Sequence, residues 1–192
     1  MNRTMYDSTN PAVIPNSAQL VGAYVDGFGG YDAAVAKFGA DKVVSISVAN
    51  HDADVADVES GAMSPDDLPG WIERQNARGV KRPGVYCSLS IWASVKAAVG
   101  NRSVSYWIAD WVGSPYEITG ADAVQYENTP DYDLSLVLPS FPFCPLPAPP
   151  KPKPAPPAKQ VGVVTSDTTH GRAQVYTVDG GQTWTFKKPV GF

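Results

Sequence analysis

Along residues 1–138 the hydrophobic pattern switches repeatedly between two periods. Short runs in which apolar and polar positions alternate, or in which apolar positions run on, occur at TMYDS (4–8), LVGAYVD (20–26), KVVSISVA (42–49) and ADVADVE (53–59). They recur at RPGVYCSL (82–89), VSYWIADW (104–111), DAVQYE (122–127) and YDLSLVL (132–138). Runs of this length, rich in Val, Ile and Tyr and bounded by Gly, Pro, Asn or Asp, predict strands. Three intervening stretches, residues 31–40, 64–79 and 90–100, carry the longer period of an amphipathic helix. Ser64 is placed to cap the second, with Pro65 in its first turn and Asp66 and Asp67 beside it, and Gly79 and Gly100 suit helix ends.

Strands that alternate with helices predict an α/β protein with a parallel sheet, closed into a trimmed or irregular (β/α) TIM-like barrel. A full barrel of eight βα units usually takes about 250 residues, so several helices must be missing. One link does not fit. A parallel crossover needs about a dozen residues or more, and only a few separate SVA at 47–49 from the run at 53–59. Either those two strands form a hairpin, or one of them is loop.

Composition divides the chain. After residue 139 it becomes proline-rich (PFCPLPAPPKPKPAPPAK, 142–159), which favours an extended polyproline II spacer that reaches roughly 40 Å over its central fourteen residues. The expected organisation is a barrel at 1–139, a linker at 140–159 and a small β-hairpin tail at 160–192. Of the formal net charge of −4, residues 1–150 carry −8 and residues 151–192 carry +4. An acidic body argues against nucleic acid as a partner. Cys87 and Cys144 make no disulfide framework and read as two buried thiols, with one bridge between them as the alternative. The N-terminal stretch lacks the apolar core of a signal peptide, and no run is long enough to span a membrane.

The acids change the picture most. Asp52, Asp54, Asp57 and Glu59 fall within eight residues, with no Lys or Arg among them. On a strand, Asp57 and Glu59 share a face about 6.6 Å apart, and Val58 points away. Asp7 ends the first strand, Asp26 the second, and Asp133 begins the last. In an α/β barrel, chemistry sits where strands end. Acids from several strand ends either stay solvated or meet in one cleft, where crowding raises their pKa values and prepares a proton donor, the requirement of glycoside hydrolysis. Asp52 and Asp54 read as solvated. His51 and His170 are isolated and no zinc spacing appears, so no metal and no cofactor is expected. No nucleophile elbow and no phosphate loop is present.

The order of these pieces resembles glycoside hydrolase family 25, the lysozyme-type muramidases, and most nearly the compact branch of actinobacteria and their phages. MYDST is similar to the family's opening Asp-x-Ser strand, GAYVDG to its Gly-x-Tyr strand, and ADVADVE to its Asp-x-Glu strand. RPGVYCSLSIW, YWIADW and AVQYENTPDYDLSLV are similar to the Pro-x-x-Tyr-x-Ser, Trp-Ile-Ala and closing Gln-Tyr and Asp-Leu pieces. The body is shorter than the usual family barrel, and position 26 carries Asp where longer members show an aromatic or His-bearing segment. The resemblance implies cleavage of peptidoglycan between its amino sugars. Glu59 would be the general acid, Asp57 would orient the 2-acetamido group, Asp7 would sit beside them and Asp133 would close the cleft. The strand spacing exceeds the roughly 5–5.5 Å of a nucleophile–acid pair, which favours attack by the substrate's own acetamido group. Tyr24, Tyr86, Trp107 and Tyr126 offer flat faces to sugar rings and, with Asp26, Asp110 and Gln125, complete the expected substrate-binding set. Trp71 and Trp92 are assigned to packing.

In the tail, TVDGGQTW (177–184) fits the Asp-box hairpin pattern, which predicts a β-hairpin at 172–188. Its single copy rules out a propeller. It reads either as a wall-binding or virion-docking module or as a hairpin packed on the barrel. The expected partners are peptidoglycan or a related cell-wall glycan and, through the tail, other virion proteins. The expected setting is a phage virion, or the host cytoplasm before release to the wall. The alternatives are a structural virion or surface protein on the same barrel, and a carbohydrate-binding module.

Overall fold

The computed structural model describes residues 1–143. Residues 144–192 lie outside the described residues, and with them most of the expected linker, the hairpin tail with its Asp-box, Cys144 and His170. Eight strands close into a barrel in sequence order. They are β1 (Arg3–Asp7), β2 (Val21–Tyr24), β3 (Val43–Ser47), β4 (Val55–Val58), β5 (Gly84–Ser88), β6 (Ser105–Ala109), β7 (Ala123–Asn128) and β8 (Asp133–Val137). Among the described residues three α-helices accompany them: α1 (Tyr31–Phe38) after β2, α2 (Leu68–Ala77) after β4 and α3 (Trp92–Val99) after β5. The protein is thus an α/β barrel of the TIM-like kind with most of its helices removed, as the residue pattern predicts. No helix among the described residues is long and apolar enough to cross a membrane.

Alternation along each strand separates two environments. Met5, Val44, Ile46, Val55, Trp107 and Val137 face inward and fill the barrel. Their neighbours Ala56, Val58, Val85, Cys87, Ile108 and Val124 face outward onto α2 and α3. A smaller cluster of Val21, Ala23 and Val43 packs against Ala34 and Phe38 of α1. β4 is buried at all four positions, as expected for a strand covered on both faces. The α2 start is built as the sequence suggests: Ser64 and Asp67 form a reciprocal capping box around a 3-10 turn at Pro65–Asp67. The packed body runs on past residue 139, because Phe141 and Phe143 join the interior cluster edge to face, 5.2 Å apart. Gly84 makes room for this plug. A Cβ there would lie 2.6 Å from Val55 Cγ2 and 3.0 Å from Phe143 Cε2.

Two expectations are corrected. The sheet is not wholly parallel: β8 runs antiparallel to both β7 and β1. A tight connection after Asn128 is enough for that reversal, so no helix is needed. And the short link between β3 and β4 makes neither a hairpin nor a lost strand, for the two pair in parallel with Ile46 beside Val55 and Ser47 beside Ala56. β4 starts at the level where β3 finishes. The link therefore has only to turn over and fall back by about one residue's rise, roughly 3.3 Å, instead of recrossing the sheet. Asp54 holds that offset: its Oδ2 accepts from Ser45 N (3.0 Å) and Ser45 Oγ (2.8 Å), and Asp54 N donates to Ser45 Oγ (2.8 Å). Asp54 is therefore a pin and not a solvated acid. Asp52 is exposed, but it pairs with Arg74 and Arg78 of the α2 region.

Candidate active site

The offset that shortens the link also pushes β4 towards the barrel's C-terminal mouth, and with it Asp57 and Glu59. β1 delivers Asp7 to the same end. β8 starts there because it is antiparallel, and its first residue, Asp133, pairs directly with Asp7. A parallel β8 would have carried Asp133 to the opposite end. Gly22, the neighbour of Asp7 on β2, keeps the space clear: a Cβ would approach Asp7 Cβ and Ile46 Cδ1 to 3.0 Å each.

Asp7, only 3% exposed, is oriented by Gln125. Gln125 Nε2 donates to both carboxyl oxygens, at 3.1 and 3.2 Å. The amide cannot turn round, because its Oε1 accepts from Tyr86 Oη (2.9 Å) and from Trp111 Nε1 (2.8 Å). Asp57 is 4% exposed, and its Oδ1 is buried without a hydrogen-bond partner. Glu59 is half-buried. Two recesses open at this mouth. One, of about 180 Å³, is bordered by Asp7, Tyr24, Asp131, Tyr132 and Asp133. The other, of about 210 Å³, is bordered by Glu59, Ser88, Leu89, Ser90, Asp110 and Trp111.

The four carboxyl groups act on one another electrostatically. Burial, then the charge of Asp133, and less strongly those of Asp57 and Glu59, push Asp7 up from 3.8 to about 8, against the opposing pull of Gln125. Burial and the charges of Glu59 and Asp26 push Asp57 to about 7. Burial and Glu59 push Asp133 to about 6. Burial also raises Glu59, and the Tyr86 hydroxyl offsets part of that rise. Desolvation and like charge both disfavour the ionised form, so near neutral pH the cluster holds protons that isolated carboxyl groups would have lost. Asp7 keeps its proton most firmly but is almost wholly buried and is held by Gln125. Glu59 borders open space and is the group placed to meet a ligand. Such a set can donate and take up protons at neutral pH. Among the described residues, no group of His, Cys, Asp or Glu has the arrangement needed to hold a metal ion.

The remaining candidates separate. Tyr24 borders the Asp7 recess. Tyr86 reaches the cluster through its hydroxyl, not its ring face, which packs edge-on against Trp107 at 4.9 Å. Trp107 is corrected: at 1% exposure it is the floor beneath the acids, with Nε1 donating to Ser135 Oγ (3.0 Å), and it offers no face to a sugar. Asp26 is corrected too. It accepts from Ser47 Oγ (2.5 Å), Val48 N (2.8 Å) and Ala49 N (3.4 Å) and pairs with His51 Nδ1 (2.8 Å). These bonds hold its pKa below the usual value although burial pulls the other way. Its carboxylate clamps the β3–β4 link and influences Asp57 only through its charge. Tyr126 follows the inward Gln125 and turns to the other face; Glu127 and Tyr6 are its electrostatic neighbours, and none of the four acids is. Asp110 borders the second recess and accepts a short hydrogen bond from Tyr116 Oη. The sequence reading missed Trp111. Its signal was the alternation Trp107, Ala109, Trp111, which carries an aromatic one step beyond the strand end on the inward face.

No protein-family model matches this sequence, and no curated protein matches it. Among solved structures, the crystal structure of the Clostridium perfringens spore cortex lytic enzyme SleM is similar with a TM-score of 0.45 at 10% identity, over 71% of this chain and 67% of that one. A likeness of that degree carries no argument about the site. The barrel is read from this chain's own strand pairing.

Proposed function

We propose that the barrel is a glycoside hydrolase that cleaves peptidoglycan between its amino sugars, in the manner of a muramidase. The observation that carries the reading is the meeting of Asp7, Asp57, Glu59 and Asp133, from three separate strands, at one open mouth, where all four are raised above the ordinary carboxyl value. Glu59 protonates the glycosidic oxygen as the bond to the sugar carbon breaks. Asp57 accepts the N–H of the 2-acetamido group on its orphaned Oδ1, which turns the acetamido oxygen towards that carbon. The oxygen attacks, forming a cyclic oxazolinium, and water then opens the ring while Glu59 takes back a proton. An unpartnered buried oxygen costs about 1–3 kcal/mol, and a substrate donor recovers it. Burial holds the Glu59 carboxyl above its ordinary value, and negative charge on neighbouring carboxylates favours its protonated form further. The resemblance of the motif order to compact actinobacterial and phage muramidases supports a lysin or a wall-piercing virion component as the setting.

The test is turbidity loss of purified cell walls, with Glu59→Gln as control. The wild-type protein should clear the suspension, and the variant should melt at the same temperature but be slower by about 10²–10⁴-fold, the range expected when general acid catalysis is lost. Equal rates would remove Glu59 from the role. Wall binding without clearing by the wild-type protein would favour a carbohydrate-binding module.

A further inference from the structure

The second recess has no part in the chemistry above apart from Glu59 at its edge. Its main wall is Trp111, which is 58% exposed, whereas Trp71, Trp92 and Trp107 are all buried. Leu89, 42% exposed, and Ala109 add further apolar surface. Lone exposed apolar residues are ordinary, but Trp111 is fixed in place. Its indole N–H is held by Gln125 Oε1 at 2.8 Å. Its backbone neighbours are fastened to β7 on both sides, with Asp110 N donating to Gln125 O (2.9 Å) and Gly113 N to Tyr126 O (2.8 Å). The ring is thus a preset flat surface whose polar edge is already satisfied and whose apolar face is left to solvent. Around it stand small polar groups: Ser88 and Ser90, their hydroxyls 2.8 Å apart, and Asp110. The volume of about 210 Å³ is below the roughly 300–1,000 Å³ typical of a site that encloses a whole drug-sized ligand. It suits one ring of a longer chain that continues past Glu59.

We infer that this recess is a sugar-binding subsite in which one pyranose ring of a β-linked amino-sugar chain stacks on Trp111, so that the next glycosidic oxygen falls at Glu59. Apolar ring faces meet the indole and Leu89, while equatorial hydroxyls reach Ser88 and Ser90. The hydrogen bond to Gln125 spares the ring from ordering on binding, which reduces the entropic cost of association. The inference rests on the glycosidase reading for its ligand, and its test is arranged so that the two can fail separately.

The probe is a β-1,4-linked tetramer of N-acetylglucosamine, titrated calorimetrically into the Glu59→Gln protein so that it is not consumed. Trp111→Ala on that background should weaken binding about tenfold or more, the scale of losing one aromatic contact together with its buried area. Trp111→Phe, which keeps a ring but loses the N–H, should stay within about threefold of the parent. Val112→Ala, also exposed at 55%, should bind as the parent does, and thermal melts confirm that each variant is folded. Unchanged binding by Trp111→Ala would overturn the subsite, as would equal weakening by Val112→Ala or no binding of the tetramer by the parent. Wall cleavage by the wild-type protein is measured in parallel. Trp111-dependent binding without cleavage would keep the subsite and remove the enzyme, and cleavage with no effect of Trp111→Ala would do the reverse.

Discussion

Replacing Asp7 by asparagine probes the electrostatic cost of the cluster. The amide side chain keeps the shape, can still accept from Gln125 through its oxygen, and can turn its NH2 towards Asp133. What the substitution removes is the ionisable group. Asp7 is raised from 3.8 to about 8 in the folded protein, so the folded state binds the proton more tightly than the unfolded chain. Below about pH 4 both states hold it, and its contribution to stability is intact. As the pH rises from about 4 to 8 the unfolded chain releases the proton and the folded protein does not, so stability falls; above about 8 the full penalty is present. At about 1.36 kcal/mol per pKa unit, the Asp7 penalty grows between pH 5 and pH 9 by about 4 kcal/mol, a large part of a typical domain's stability. The Asp7→Asn variant lacks this slope. For a domain of this size, about 3 °C of melting temperature per kcal/mol makes its advantage over wild type roughly 10 °C greater at pH 9 than at pH 5. Calorimetric melts at the two pH values measure it. A difference between variant and wild type that is the same at both pH values, or a variant less stable at pH 9, would refute the claim that Asp7 is held protonated by burial and its neighbours.

Wall cleavage should fall as the pH rises through the raised pKa of Glu59, which must carry a proton to act as general acid; a pH–rate profile flat from 5 to 9 would contradict that role. Asp26→Ala should destabilise the barrel by about 2–3 kcal/mol in urea unfolding, since charge-assisted bonds to the β3–β4 link are lost. The same contribution should fade in wild type as acid protonates Asp26, whose folded pKa lies below its ordinary value. Arg82→Met should cost about 1.5–3 kcal/mol, because Asp122 loses the charged donor 2.6 Å from its Oδ2 and keeps only Ser105 Oγ there. That pair sits near the start of β6, below the mouth, so activity per folded molecule should not change.

Much of the architecture was legible because its causes are local. Short alternating or continuous apolar runs mark all eight strands, most of them bounded by Gly, Pro, Asn or Asp, and Ser64 with Pro65 and Asp67 marks the entry to α2. Strand direction and offset were not legible, for they are set by pairing between distant segments. Nothing in YDLSLVL says that it runs against its neighbours, yet that reversal is what sets Asp133 beside Asp7. Nor does the spacing of SISVA and VADV reveal that Ile46 lies next to Val55, which is what lets the short link between Ser47 and Val55 join two parallel strands. The convergence of Asp7, Asp57, Glu59 and Asp133 on one end of the barrel was legible because strand ends and alternation place backbone positions. The surroundings of Asp26 and Trp107 were not legible, for there the type of residue suited a sugar but the partners made a clamp and a floor. Partners come from Ser47, His51 and Ser135, and sequence spacing does not bring those together. Trp111 lay on the inward parity in plain view, but its role depends on Gln125 reaching it from β7.

The central claim is that Glu59 reaches a glycosidic bond at this mouth. Its most direct test is mass spectrometry of the soluble fragments released from purified peptidoglycan, with reducing ends counted. Wild-type protein should release disaccharide-containing fragments with one new reducing end per cut, and Glu59→Gln, folded to the same melting temperature, should release about a hundredfold fewer or less. Fragments that carry no new reducing ends, or equal release by both proteins, would contradict the account.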